Sequence, residues 1–192
     1  ATYCCAIFLA GNCLNILGPA GPTLAASTGS SLTMIGSVFT AEGVGGLIGN
    51  LCFGPLLDRT RCHTLLMAVC LVILGATGCV PHCKAIAQVM ALYVVVGFCL
   101  GTVSGTANTA IVWAHRGHNV GPWVNLINAC FGLGATFAPL LFVLVERRYA
   151  NGLVAFTAIA AFASLPALAT YLLESPAPPP PQELAEDDGS DE

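Results

Sequence analysis

The chain has 192 residues, of which 56% are hydrophobic and only 8% charged, and its mean hydropathy is +0.80. A soluble domain carries about 25% charged residues, so this composition excludes a water-soluble globule and makes lipid the solvent of the outer surface. The net charge of −4 belongs to the tail, because seven of the ten acidic residues lie from Glu174 onward. No basic patch with interleaved aromatics occurs, so nucleic acid is not an expected partner.

The chain begins Ala-Thr-Tyr and is apolar at once, with no basic n-region and no cleavage site. A signal peptide is therefore not indicated, and the start reads as truncated. Six apolar runs follow. The first covers about residues 3–25 and is broken near its end by Gly18-Pro19 and Gly21-Pro22. The second covers about 32–57 and stops at Asp58-Arg59-Thr60-Arg61; the third covers about 64–80 and stops at Pro81-His82-Cys83-Lys84. The fourth, about 86–114, stops at His115-Arg116-Gly117-His118; the fifth, about 120–145, stops at Glu146-Arg147-Arg148; the sixth covers about 150–173. Each is close to the roughly 20 residues that cross about 30 Å of hydrocarbon as a helix. Alternation with period two is absent, which disfavours a β-barrel and leaves helices to satisfy the backbone in lipid. The prediction is an all-α membrane protein with six transmembrane helices over residues 1–173. Residues 174–192 are proline-rich and then acidic, the composition of a disordered, solvated linker.

Ten cysteines would suggest a disulfide scaffold in a small secreted chain. Here most sit inside apolar runs, where cysteine packs as a small hydrophobe. Only Cys79 and Cys83 flank a loop, with His82 between them. Two thiols and one imidazole are an incomplete zinc set, so neither a metal nor another cofactor is expected. Six spans place both ends on one side of the membrane. Arg59, Arg61 and Arg116 lie on the side of the tail, and Lys84, Arg147 and Arg148 opposite. At three against three, the positive-inside rule favours neither orientation.

Small residues recur at close-packing intervals: Gly45 and Gly49; Gly97, Gly101 and Gly105; and the cluster Gly132, Gly134, Ala135. This spacing lets helix backbones approach. It suits static packing and moving helices equally. Polar residues within the spans also share faces: Asn12 with Asn15, Glu42 with Gly46 and Asn50, Ser104 with Asn108, Asn125 with Asn128. Amides turned to lipid would cost several kcal/mol each, so these faces should point inward. They serve either as interhelical hydrogen bonds or as the wall of a polar cavity for a hydroxylated solute, since amides both donate and accept. Glu42 is the one carboxylate well inside a span. An ionised carboxylate at that depth is expensive and usually functional. It is protonated, hydrated in a cavity, or paired with a cation from outside these six helices. All four histidines fall at span ends or in loops, and no catalytic dyad, triad or metal set can be assembled at depth. An enzyme is therefore not expected.

The stretch Gly54-Pro55-Leu56-Leu57-Asp58-Arg59 resembles the loop signature of the major facilitator superfamily, Gly-x-x-x-Asp-Arg-x-Gly-Arg-Arg. Arg61 stands where the second glycine is expected, and Cys62-His63 replace the basic pair. Residues 11–19, with Asn12 and Asn15, resemble the first helix of the sodium-dependent glucose transporter and domain-containing-protein-4 branch. Gly121-Pro122-Trp123 and the run from Asn125 to Leu141 resemble that branch's fifth helix. Ser104-Gly105-Thr106-Ala107-Asn108 is similar to a fourth-helix segment shared with fucose permease-like proteins. The resemblance covers nearly all of residues 1–173.

It implies half of a twelve-helix carrier with alternating access and a hexose-like solute. The partners would be the bilayer and a C-terminal six-helix half, with a proton or sodium ion as candidate co-substrate. It makes this chain the first half, a fragment or a genuine half-protein, with both ends cytoplasmic, in the plasma membrane or an internal membrane. It places Asn108, Asn125 and Asn128 at substrate-facing positions, beside Asn15 as a candidate from the face it shares with Asn12, and Gly54, Asp58 and Arg59 in a conformational-switch loop. Relatives carry an acid where this chain has Ser104, so coupling by that route is lost and Glu42 becomes the coupling candidate. The alternatives are a carrier of a different small solute, such as an organic anion, and a non-transporting six-helix scaffold.

Overall fold

The computed structural model describes residues 2–116 and 118–176. Its helices are α1 (Thr2–Asn15), α2 (Leu17–Thr28), α3 (Leu32–Arg59), α4 (Cys62–Cys79), α5 (Ile86–Ala114), α6 (Gly121–Tyr149) and α7 (Val154–Leu172), with a 3₁₀ turn at Val80–His82 after α4. No strand occurs among the described residues. Five helices are each long and apolar enough to cross a membrane, and α1 with α2 makes a sixth span bent by 47°. The linker expected from residue 174 onward lies, apart from its first three residues, outside the described residues.

The bend corrects one sequence expectation. The break falls at Ile16, not at Gly18-Pro19. Proline acts upstream of itself: it offers no N–H to the carbonyl four residues back, and its ring crowds that carbonyl. For Pro19 that carbonyl belongs to Asn15, the last residue of α1. Helix-type bonds continue through the bend, from Ile16 N–H to Asn12 O (3.1 Å) and from Ala20 N–H to Ile16 O (3.2 Å). The span therefore changes direction without ending. The α2–α3 turn is closed by two local devices. Gly29 takes the left-handed conformation (φ 63°) as C-cap of α2, and the Ser31 side chain accepts from Met34 N–H as N-cap of α3, each satisfying helix-end groups that have no partner of their own.

Three helix pairs carry most of the packing: α3 with α5, α1 with α6, and α4 with α7. Exchanging the first three spans for the last three leaves this pairing unchanged, as an inverted three-plus-three repeat requires. The first two seams are built on glycine. A methyl group on Gly45 would collide with the Val94 carbonyl, on Gly49 with the Phe98 carbonyl, and on Gly97 with the Glu42 carbonyl. In the other seam Gly11 lies against the Phe131 carbonyl and Gly134 against the Phe8 carbonyl. Gly132, grouped with Gly134 on sequence, has open space around it. Around these seams Leu9, Ile16, Leu66, Ile73, Val103 and Phe156 are fully buried. Large apolar side chains such as Leu47, Leu51, Leu133 and Leu144 are more than 60% exposed. That surface suits hydrocarbon and would be an aggregation liability in water.

A seam in which the obstructing atom is a backbone carbonyl cannot relax by a rotamer change. Gly97→Leu should therefore lower the stability of the protein by at least the about 1–3 kcal/mol typical of overpacking, seen as a lower unfolding midpoint in mild detergent. Gly36→Ala, where nothing lies within 4 Å of the added methyl, should leave that midpoint unchanged or raise it.

Candidate solute cavity and the helix-end latch

Between α1, α3, α5 and α6 lies a cavity of about 340 Å³. Glu42, Gly46 and Asn50 enter it from one face of α3, as their spacing of four predicts. Ser104 and Asn108 enter it from α5 and Asn128 from α6. Ile7, Leu14, Phe39, Leu100 and Phe131 supply its apolar wall. Asn128 and Phe131 are three apart, so one face of α6 presents an amide and then a ring.

Glu42 is only 3% exposed. Its Oε1 has no hydrogen-bond partner among the described residues. Asn50 donates from Nδ2 to Gly46 O at 2.9 Å, and Asn108 from Nδ2 to Ser104 O at 2.8 Å. Both amides are thus held by their own helix, four residues back. The same habit recurs at Asn12 to Phe8 O, Asn15 to Gly11 O, Thr102 to Phe98 O and Thr136 to Gly132 O. None of these six bonds crosses between helices, in contrast to the interhelical bonding that the shared polar faces left open as the alternative to a cavity.

The expected residues are thus only partly brought together. Asn108, Asn128 and Glu42 share the cavity. Asn15 is half-buried and outside the cavity lining. Asn125 and Asn128 are both exposed on α6, but Asn125, one turn nearer the helix start, is outside the lining. Asn12 faces a different crevice, between α1, α6 and α7, among Phe8, Phe137 and Phe162. Sequence reasoning misses Phe39 and Phe131, because an aromatic in an apolar run carries no distinguishing signal. Asn50 is visible through its spacing from Glu42.

The switch segment differs from its expected form. Helix α3 runs on through Arg59, so Gly54, Asp58 and Arg59 occupy its last turns and not a loop. The connection to α4 is only Thr60 and Arg61. Asp58 and Arg61 border a groove of about 790 Å³ at this end, shared with Trp113, Thr170, Glu174 and Ser175.

At the same end three chain segments are tied through one imidazole. His63, in the first turn of α4, is 6% exposed. Its Nε2 lies 2.8 Å from the Tyr3 hydroxyl, and its Nδ1 lies 3.0 Å from the Leu173 carbonyl. A carbonyl only accepts, so Nδ1 carries the proton and, in the neutral ring, Nε2 accepts from tyrosine. The His63 backbone N–H donates to Ser175 Oγ at 3.2 Å. The start of α1, the start of α4 and the end of α7 are thereby joined. Sequence separations of 60 and 110 put this arrangement beyond any local pattern.

Removing the ring takes the partner from a half-buried hydroxyl and a carbonyl, at about 0.5–1.5 kcal/mol for each bond lost. His63→Ala should lower the unfolding midpoint by a corresponding amount, and Tyr3→Phe, which removes one bond, by less. Equal midpoints for wild type and His63→Ala would show that the latch adds nothing to stability.

A search of the curated proteins returns no match. The family description Major Facilitator Superfamily matches residues 3–190, nearly the whole chain. With its apolar spans, its paired helices and a cavity of mixed lining between them, this chain belongs to the major facilitator superfamily of membrane transporters.

Proposed function

We propose that the chain is the N-terminal half of an alternating-access carrier for a hydroxylated, sugar-like solute. One observation carries the reading: a single cavity gathers Asn50, Ser104, Asn108 and Asn128 from three helices beside an apolar wall containing Phe39 and Phe131. Hydroxyl groups need partners that accept and donate, and amides supply both. A sugar ring's C–H faces suit an aromatic wall. A scaffold gains nothing from polar side chains around empty volume, since each adds desolvation cost without packing.

In this reading a second six-helix half closes the cavity, and the two halves rock about the solute. Both ends of the chain are cytoplasmic, following the resemblance at Asp58 and Arg59. Those two residues, at the helix end and away from the cavity, act in switching between conformations and not in holding the solute.

The decisive experiment is uptake of a labelled sugar panel by the full-length protein in a transport-deficient host. Asn108→Ala and Asn128→Ala should each weaken solute binding by about 1–3 kcal/mol, the cost of stranding a buried hydrogen-bonding group. That corresponds to about 5- to 150-fold in Kd. Asp58→Asn should slow transport while leaving equilibrium binding within a few-fold. Absence of saturable uptake across the panel, or unaltered affinity in both asparagine variants, would remove the reading.

A further inference from the structure

We propose that the solute bears a positive charge: a hydroxylated primary ammonium, of the amino-sugar class, whose nitrogen sits against Glu42. The inference rests on the cavity reading above and narrows its substrate class. Glu42 is the only ionisable carboxyl lining the cavity among the described residues, and no lysine, arginine or histidine of that set lines it. The carboxyl group is buried, and its Oε1 is left without a partner among the described residues. Cys13 on α1 and Tyr93 on α5 lie within electrostatic reach of it, and neither supplies a cation. A carboxyl that is ionised away from water is satisfied by a positive partner bringing N–H groups.

The neighbouring amides point the same way. Asn50 and Asn108 spend Nδ2 on the carbonyls of Gly46 and Ser104. A carbonyl can only accept, so the orientation of both amides is fixed, and each keeps Oδ1 to accept and its second N–H to donate. Glu42 and these two Oδ1 atoms give the cavity a set of acceptors that a donor-rich ligand can fill. An ammonium group brings three N–H donors and accepts nothing. Phe39 and Phe131 add aromatic rings to the same cavity, and a cation within about 6 Å of a ring face is attracted by it. An organic anion would meet Glu42 with like charge, so that class of solute is disfavoured.

The test compares solutes of one shape and different charge on the full-length protein in proteoliposomes. Glucose, glucosamine and N-acetylglucosamine share the ring, and only glucosamine carries the ammonium. Glucosamine should compete roughly tenfold better than either neutral sugar, a difference of about 1.4 kcal/mol. Glu42→Gln should abolish that advantage, and Glu42→Asp should keep part of it. The wild-type ratio alone decides the matter if a variant fails to fold. Equal or stronger binding of glucose overturns the charge assignment and leaves the sugar reading intact. So does a glucosamine advantage unaltered in a folded Glu42→Gln. Neutral-sugar accumulation that depends on a proton or sodium gradient and is lost in Glu42→Gln also overturns it, assigning Glu42 to the co-transported ion. Binding of none of the three removes both readings together.

Discussion

Helices in lipid gain little by burying apolar surface against one another, because the surrounding hydrocarbon is as apolar as a leucine face. How closely two backbones can come then decides which helices pair. In this chain the closest approaches are set by Gly45, Gly49 and Gly97 between α3 and α5, and by Gly11 and Gly134 between α1 and α6. The pairing of α4 with α7 completes a set that is symmetric between the two groups of three spans. The remaining geometry, including the positions of Glu42 and the asparagines, follows from these two seams.

Seam and cavity also use the same residues. Gly46, Gly97 and Gly101 line the cavity while lying at the α3–α5 contact. A helix face without side chains allows contact where the helices touch and leaves volume where they diverge. The polar groups then project from the margins of that bare surface. Asn50 and Asn108 are held by hydrogen bonds within their own helices, so their orientation does not depend on the partner helix.

The sequence is informative wherever physics is local. The fourth apolar run, residues 86–114, coincides with α5, because polar residues bound it sharply. The face shared by Glu42, Gly46 and Asn50 follows from helical spacing alone. The sixth run begins four residues before α7, because the Asn151-Gly152 turn carries no charge to mark it. Ring and hydroxyl partners across long separations, such as Tyr3 with His63, have no local signature. The different fates of Asn125 and Asn128, one turn apart, depend on how far the cavity extends along α6. That distance is set by the crossing of four helices and not by α6 itself.

The glycine seams have a directional property as well as a short distance. Each places the Cα hydrogens of a glycine toward a carbonyl oxygen of the facing helix, and does so from both sides: Gly45 toward Val94 and Gly97 toward Glu42, Gly11 toward Phe131 and Gly134 toward Phe8. Cα–H···O contacts of this kind are worth about 0.5–1 kcal/mol each. They also act as a vernier, since sliding one helix along the other by a single residue takes every hydrogen away from its oxygen together. Lateral slip within a seam is thus resisted at several points simultaneously. The two helices of each seam are thereby held in register and behave mechanically as one beam.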